Sequence, residues 1–129
     1  MRIILLIMSF LCISSFAFAG DDAEEPVIEY LEMKPKFTVN LAERKKYLLV
    51  NVQLMIEGTD AVEKIKKHFP AIRHQLIMLL SDRKSADLQS TEQRENLRLE
   101  ALDTVRETLE KYTKSSSVKD LFFTEFLVN

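Results

Sequence analysis

Val118-Lys119-Asp120-Leu121-Phe122-Phe123-Thr124-Glu125-Phe126-Leu127-Val128-Asn129 closes the chain. Three phenylalanines, two leucines and two valines fall in this stretch with no Gly or Pro. Such a composition is β-prone and apolar on both alternating faces, which asks for cover on both sides. Under strict alternation Phe122, Phe126 and Val128 point one way and Leu121, Phe123 and Leu127 the other. The segment therefore reads as an interior strand on which earlier elements assemble. A terminus this apolar is expected to be tied down.

Moving back from that strand, Ser90 followed by Gln93 forms a capping box. It opens a helix whose apolar stripe is Ala101, Leu102, Val105, Leu109 and Tyr112. Ser81 to Gln89 is a polar connection. Before it, Val62, Ile65, Phe69, Ile72, Leu76, Leu79 and Leu80 recur at helical spacing, behind a second box made by Asp60 and Glu63. Pro70 sits inside that pattern, removing a backbone donor and disfavouring helical geometry at Phe69, so a kink or two abutting helices are expected there. Earlier still, Leu31, Met33, Phe37, Val39 and Leu41 alternate, as do Leu48, Val50, Val52, Leu54 and Ile56. The short polar turn Ala42 to Lys46 between them makes a β-hairpin. Pro35 requires an edge position or a bulge in its first strand. The expected fold is α+β, with an antiparallel sheet made of the N-terminal hairpin and the C-terminal strand, packed against two or three helices.

The 129 residues fit one domain, 47% hydrophobic and 29% charged. Arg2, an apolar run from Ile3 to Phe18, Ala17-Phe18-Ala19 and the acidic cluster Asp21, Asp22, Glu24 and Glu25 follow the order of a secretory signal peptide. Residues 1–19 read as that signal or as a short membrane anchor, 20–29 as an acidic spacer and 30–129 as the folded domain. Either reading of the first segment places the domain outside the cytoplasm, with inner-membrane association if the segment is retained. The only cysteine, Cys12, falls in the apolar run, so no disulfide is expected. A net charge of −2 argues against a nucleic-acid partner, whose phosphates demand a clustered basic surface.

The residues that do chemistry elsewhere make no constellation here. His68 and His74 do not converge on a helical wheel, and no acid or cysteine joins them at ligand spacing. There is no phosphate loop and no Gly-x-Ser-x-Gly elbow. Thr124 and Glu125 point to opposite faces of a strand. No catalytic, metal or cofactor site is expected. Arg94 and Arg98 instead interrupt the apolar stripe of the long helix. Their stems can cover core edge while the guanidinium groups reach water, or Arg98 can be held by a carboxylate such as Asp87.

Val39-Asn40-Leu41, Phe69-Pro70-Ala71-Ile72-Arg73, Leu80-Ser81, Asp87-Leu88, Leu97-Arg98 and Phe123-Thr124-Glu125-Phe126, in that order from about Tyr30 to the C-terminus, resemble the extracytoplasmic domain of the flagellar basal body-associated protein FliL family. The resemblance implies a stomatin-like α+β domain, periplasmic and at the flagellar basal body. It implies a non-enzymatic scaffold that forms ring-type homo-oligomers around MotA/MotB-like stator proteins and supports motor torque and motility. Members of that family usually carry a basic cytoplasmic tail and a full transmembrane helix, where this chain has Met1-Arg2 and an Ala-x-Ala site. The alternative is a soluble periplasmic binding module or holdase with no flagellar role. Candidate structural or interaction residues are Asn40, Asn51, Arg73, Arg98, Phe123, Thr124, Glu125 and Phe126. A three-stranded sheet keeps two edges. With the last strand taken as interior, self-association is expected through the hairpin at the edge of Tyr47 to Glu57.

Overall fold

A computed structural model describes residues 25, 27–114 and 117–129. The expected signal or anchor segment lies outside the described residues. Chain order is β1 (Ile28–Asn40), β2 (Tyr47–Glu57), α1 (Thr59–Lys67), α2 (Phe69–Leu80), a 3-10 turn (Ser85–Leu88), α3 (Thr91–Thr113) and β3 (Val118–Val128). The strands form one antiparallel sheet in the order β1-β2-β3. The fold is α+β, and the helices cover one face of the sheet. Leu48, Val50, Val52, Leu54 and Ile56 of β2 are all 0% exposed, packed beneath Ile72, Leu76 and Leu80 of α2 and Leu97, Ala101, Val105 and Leu109 of α3.

The hairpin forms as expected, although β1 starts at Ile28, before Leu31. The register jumps between Met33 and Phe37 around the cis Lys34-Pro35 bond, so the proline is held in a bulge. The helical break also forms as expected: α1 stops at Lys67, His68 bridges, and Pro70 occupies the first turn of α2, where its missing N–H costs nothing. Ser90 and Gln93 close a complete capping box on α3. Asp60 and Glu63 do not make one. Gly58 takes the N-cap of α1 at φ 95°, which places Asp60 within the first helical turn rather than ahead of it.

The last strand is not interior. β2 is the central strand and β3 an edge, so Tyr47 to Glu57 offers no free edge and self-association there is excluded. The physical reason is two bulges in β3, where Lys119 and Thr124 are extra residues against Met55/Ile56 and Asn51/Val52. Each bulge resets the alternation. Val118, Leu121, Phe123, Phe126 and Val128 consequently share the core face, opposite Ile56, Leu54, Val52, Val50 and Leu48. Phe122 and Leu127 fall on the other face. The apolar excess that looked two-sided is thus mostly one-sided, and one covered face suffices.

Candidate functional site

α3 is the element that builds the β3 border. Its capping box fixes where the helix starts, with Ser90 Oγ accepting from the Gln93 N–H at 3.1 Å and Gln93 Oε1 accepting from the Ser90 N–H at 3.0 Å. From that start Arg94, Arg98, Leu102 and Arg106 recur every four residues, so they lie in one row along the helix. Leu102 is buried. The three arginines reach the edge strand or the loop beside it.

Arg106 donates to the Val118 carbonyl at 3.0 Å and to the Lys119 carbonyl at 2.9 Å. Arg98 pairs with Glu95 on its own helix and Asp120 on β3, and donates to the Leu121 carbonyl at 3.0 Å. Asp120 also accepts from the Leu121 N–H at 2.8 Å. Arg94 donates to the Leu88 carbonyl at 2.9 Å and lays its guanidinium 4.8 Å from the centre of the Phe126 ring. The hydrogen bonds that Arg98 donates to Glu95, ahead of the contribution of Asp120, raise its guanidinium above its already high ordinary value. The same bond holds the Glu95 carboxyl below the usual carboxylate range. Arg98 is therefore a fixed cation, held as in the second of the two readings but by Glu95 and Asp120 rather than Asp87.

Between this helix row and β3 runs an open groove of about 530 Å³, lined by Thr91, Arg94, Glu95 and Arg98 on one side and by Phe122, Phe123 and Phe126 on the other. Phe123 and Phe126 contact each other with ring centres 5.5 Å apart.

The sheet face away from the helices carries a polar band. Asn51 Nδ2 donates to Glu32 Oε1 at 2.9 Å, and Glu125, opposite Asn51 on β3, is paired with Lys36 of the β1 bulge. Asn51 Oδ1 is buried with no partner among the described residues. To either side of the band Tyr30 is 59% and Leu127 48% exposed, large apolar surfaces for a face that no helix among the described residues covers.

Of the candidates read from sequence, Arg98, Phe123 and Phe126 meet at the groove, and Asn51 and Glu125 meet on the open face, with Thr124 at the bulge between the two sets. Arg73 lies elsewhere: it donates to the Pro35 and Lys36 carbonyls at 2.6 and 3.1 Å and covers the Phe37 ring at 4.2 Å, clamping the β1 bulge. Asn40 is an exposed strand end whose carbonyl accepts from the Asp82 N–H at 2.9 Å. His68 stacks on Tyr112, and His74 is exposed. Glu95, Arg106 and Asp120 escaped the sequence reading. The four-residue row of arginines was the available signal for Arg106, but their partners on β3 are distant in the chain.

The family model described as flagellar basal body-associated protein FliL matches residues 30–128. A flagellar protein FliL of Aquifex aeolicus (strain VF5) is 29% identical over 99 residues, covering 75% of this chain and 59% of that protein. The flagellar protein FliL of Escherichia coli (strain K12) is 26% identical over 92 residues, covering 71% of this chain and 60% of that protein. The matches thus span about three fifths of the length of these relatives. With the match running from the start of the hairpin through β3, the chain belongs to the flagellar basal body-associated protein FliL family.

Proposed function

We propose that this domain is a non-enzymatic scaffold at the flagellar basal body, on the periplasmic side of the inner membrane, where it associates with MotA/MotB-like stator proteins and supports motor torque. Family membership supports the flagellar association. The observation that carries the scaffold reading is the sheet face that none of the described helices covers, where exposed Tyr30 and Leu127 flank the Glu32-Asn51-Glu125-Lys36 band. Apolar surface around a polar centre is what a protein contact uses: the flanks supply buried area and the centre fixes orientation. Further copies of the chain are partners in the same reading. A ring of identical subunits needs a heterologous contact, and the open face of one copy against a different surface of the next meets that requirement.

Gene deletion with complementation tests it. Swimming in medium of raised viscosity is expected to fall further than swimming in plain buffer, and wild-type protein to restore both. Unchanged swimming and swarming in the deletion strain overturns the flagellar role. Tyr30→Asp with Leu127→Asp separates assembly from folding, because both side chains are exposed. The doubly substituted protein is expected to keep its circular dichroism spectrum and to lose complementation.

A further inference from the structure

The β3 edge is protected over only half its length. Reciprocal backbone bonds of 3.0 Å between Tyr47 and Asn129 set the phase of the β2–β3 ladder. With Leu49 opposite Leu127 and Asn51 opposite Glu125, residues 125, 127 and 129 turn their backbone groups toward β2. Phe126 and Val128 turn theirs to the free edge. Past the Thr124 bulge the outward positions are Phe123 and Leu121, a phase borne out by Arg98 reaching the Leu121 carbonyl from outside.

The lower half of this edge is closed. Arg106 takes the Val118 and Lys119 carbonyls, Arg98 takes the Leu121 carbonyl, and Asp120 takes the Leu121 N–H. Among the described residues, the outward N–H and C=O groups of Phe123, Phe126 and Val128 have no such partner. That open half borders the aromatic groove. Its cations are held differently: Arg98 has two carboxylates, Glu95 and Asp120, whereas Arg94 has a carbonyl and a ring and, among the described residues, no carboxylate.

We propose that the edge from Phe123 to Val128 binds an extended acidic peptide of a partner protein as a fourth strand. Backbone bonds to Phe123, Phe126 and Val128 supply the ladder, alternate apolar side chains rest on the phenylalanines, and one carboxylate pairs with Arg94. The edge is a separate surface from the open face, so this inference stands apart from the scaffold reading. A second copy of the chain is the poorer occupant. Pairing β3 with β3 would bring a second Arg94 and a second α3 to the same border, adding like charge and bulk beside the groove.

The test uses the full chain and fluorescein-labelled seven-residue peptides alternating valine with aspartate, read by fluorescence anisotropy. The acidic peptide is expected to bind at least tenfold more tightly than a valine–lysine counterpart, and Arg94→Gln to remove most of that difference. Two further acidic peptides carry N-methyl groups at the odd or the even positions. One parity is expected to lose binding and the other to keep it, because only alternate residues face a neighbouring strand. This comparison leaves the protein unaltered, so it holds whether or not Arg94→Gln folds. No binding by the acidic peptide, equal binding by the lysine peptide, or indifference to both methylation patterns overturns the proposal. Protein oligomers that grow with concentration and exclude the peptide assign the edge to a second copy and overturn it equally. A failure here with an intact viscosity phenotype leaves the scaffold reading standing.

Discussion

Arg98 joins the long helix to the edge strand through Asp120 and the Leu121 carbonyl and pairs with Glu95 on its own helix, while its side chain is 19% exposed. Replacing it by alanine leaves a half-buried Asp120 and a strand carbonyl without their donor. Hydrogen bonds to charged groups contribute about 1.5–3 kcal/mol, so Arg98→Ala is expected to lower stability by about that amount in urea unfolding. An unchanged midpoint would show the guanidinium to be solvated. Its place within an apolar stripe was legible from sequence, but its partners were not, because Asp120 is 22 residues away and becomes a neighbour only when β3 docks. Gly58 is a different case. Its φ of 95° with ψ of 133° lies where L side chains are strained, although an added Cβ would meet nothing within 4 Å. Gly58→Ala is therefore expected to cost about 1–3 kcal/mol through backbone strain alone. A loss well outside that range in either direction would mean that the turn rearranges.

At the scale of elements, the central position of β2 makes a sharp statement. Asn51 belongs to the pairs that exchange backbone bonds with β3, so Asn51→Pro removes a donor from the middle of the ladder. The variant is expected to unfold, seen as loss of the circular dichroism spectrum at temperatures where the parent is folded. A folded Asn51→Pro protein would contradict the β1-β2-β3 order. The hairpin, the break at Pro70 and the capping box at Ser90 were all readable in the sequence, since each depends on residues within a few positions of one another. The order of the strands was not. Bulges at Lys119 and Thr124 change which side chains share a face, and nothing local at either residue announces them. Helix arginines then cover part of each edge, Arg73 the β1 bulge and Arg98 with Arg106 the first half of β3, a form of edge protection that does not need a third layer.

Across the whole molecule, one polar link between hairpin and helical layer passes through Glu43. Its carboxylate in the β1–β2 turn accepts from the Ser85 N–H at 3.0 Å and from the Ser85 hydroxyl at 2.8 Å, pinning the 3-10 turn that leads into α3. The Ser85 hydroxyl, foremost, holds the Glu43 carboxyl below its ordinary value. A carboxyl depressed in the folded state adds stability above its unfolded pKa, and that stability is lost as pH falls through the folded value. Stability is thus expected to decline as the solution is acidified below the ordinary carboxylate range, with Glu95 adding to the decline. Ser85→Ala is expected to be less stable than the parent at neutral pH and to approach it in acid, as urea titrations across pH would show. A gap that stays constant with pH would mean that the Ser85 hydroxyl acts by packing only. The sequence by itself determined the α+β class, the hairpin, the helical break and the arginines within the α3 stripe, because periodicity, capping and proline chemistry act over one or two turns of chain. Only the tertiary structure decided that β3 is an edge, that Glu95 and Asp120 hold Arg98, and that half of that edge stays open beside an aromatic groove. Those depend on register and on contacts between residues far apart in sequence, which are set when all the layers pack at once.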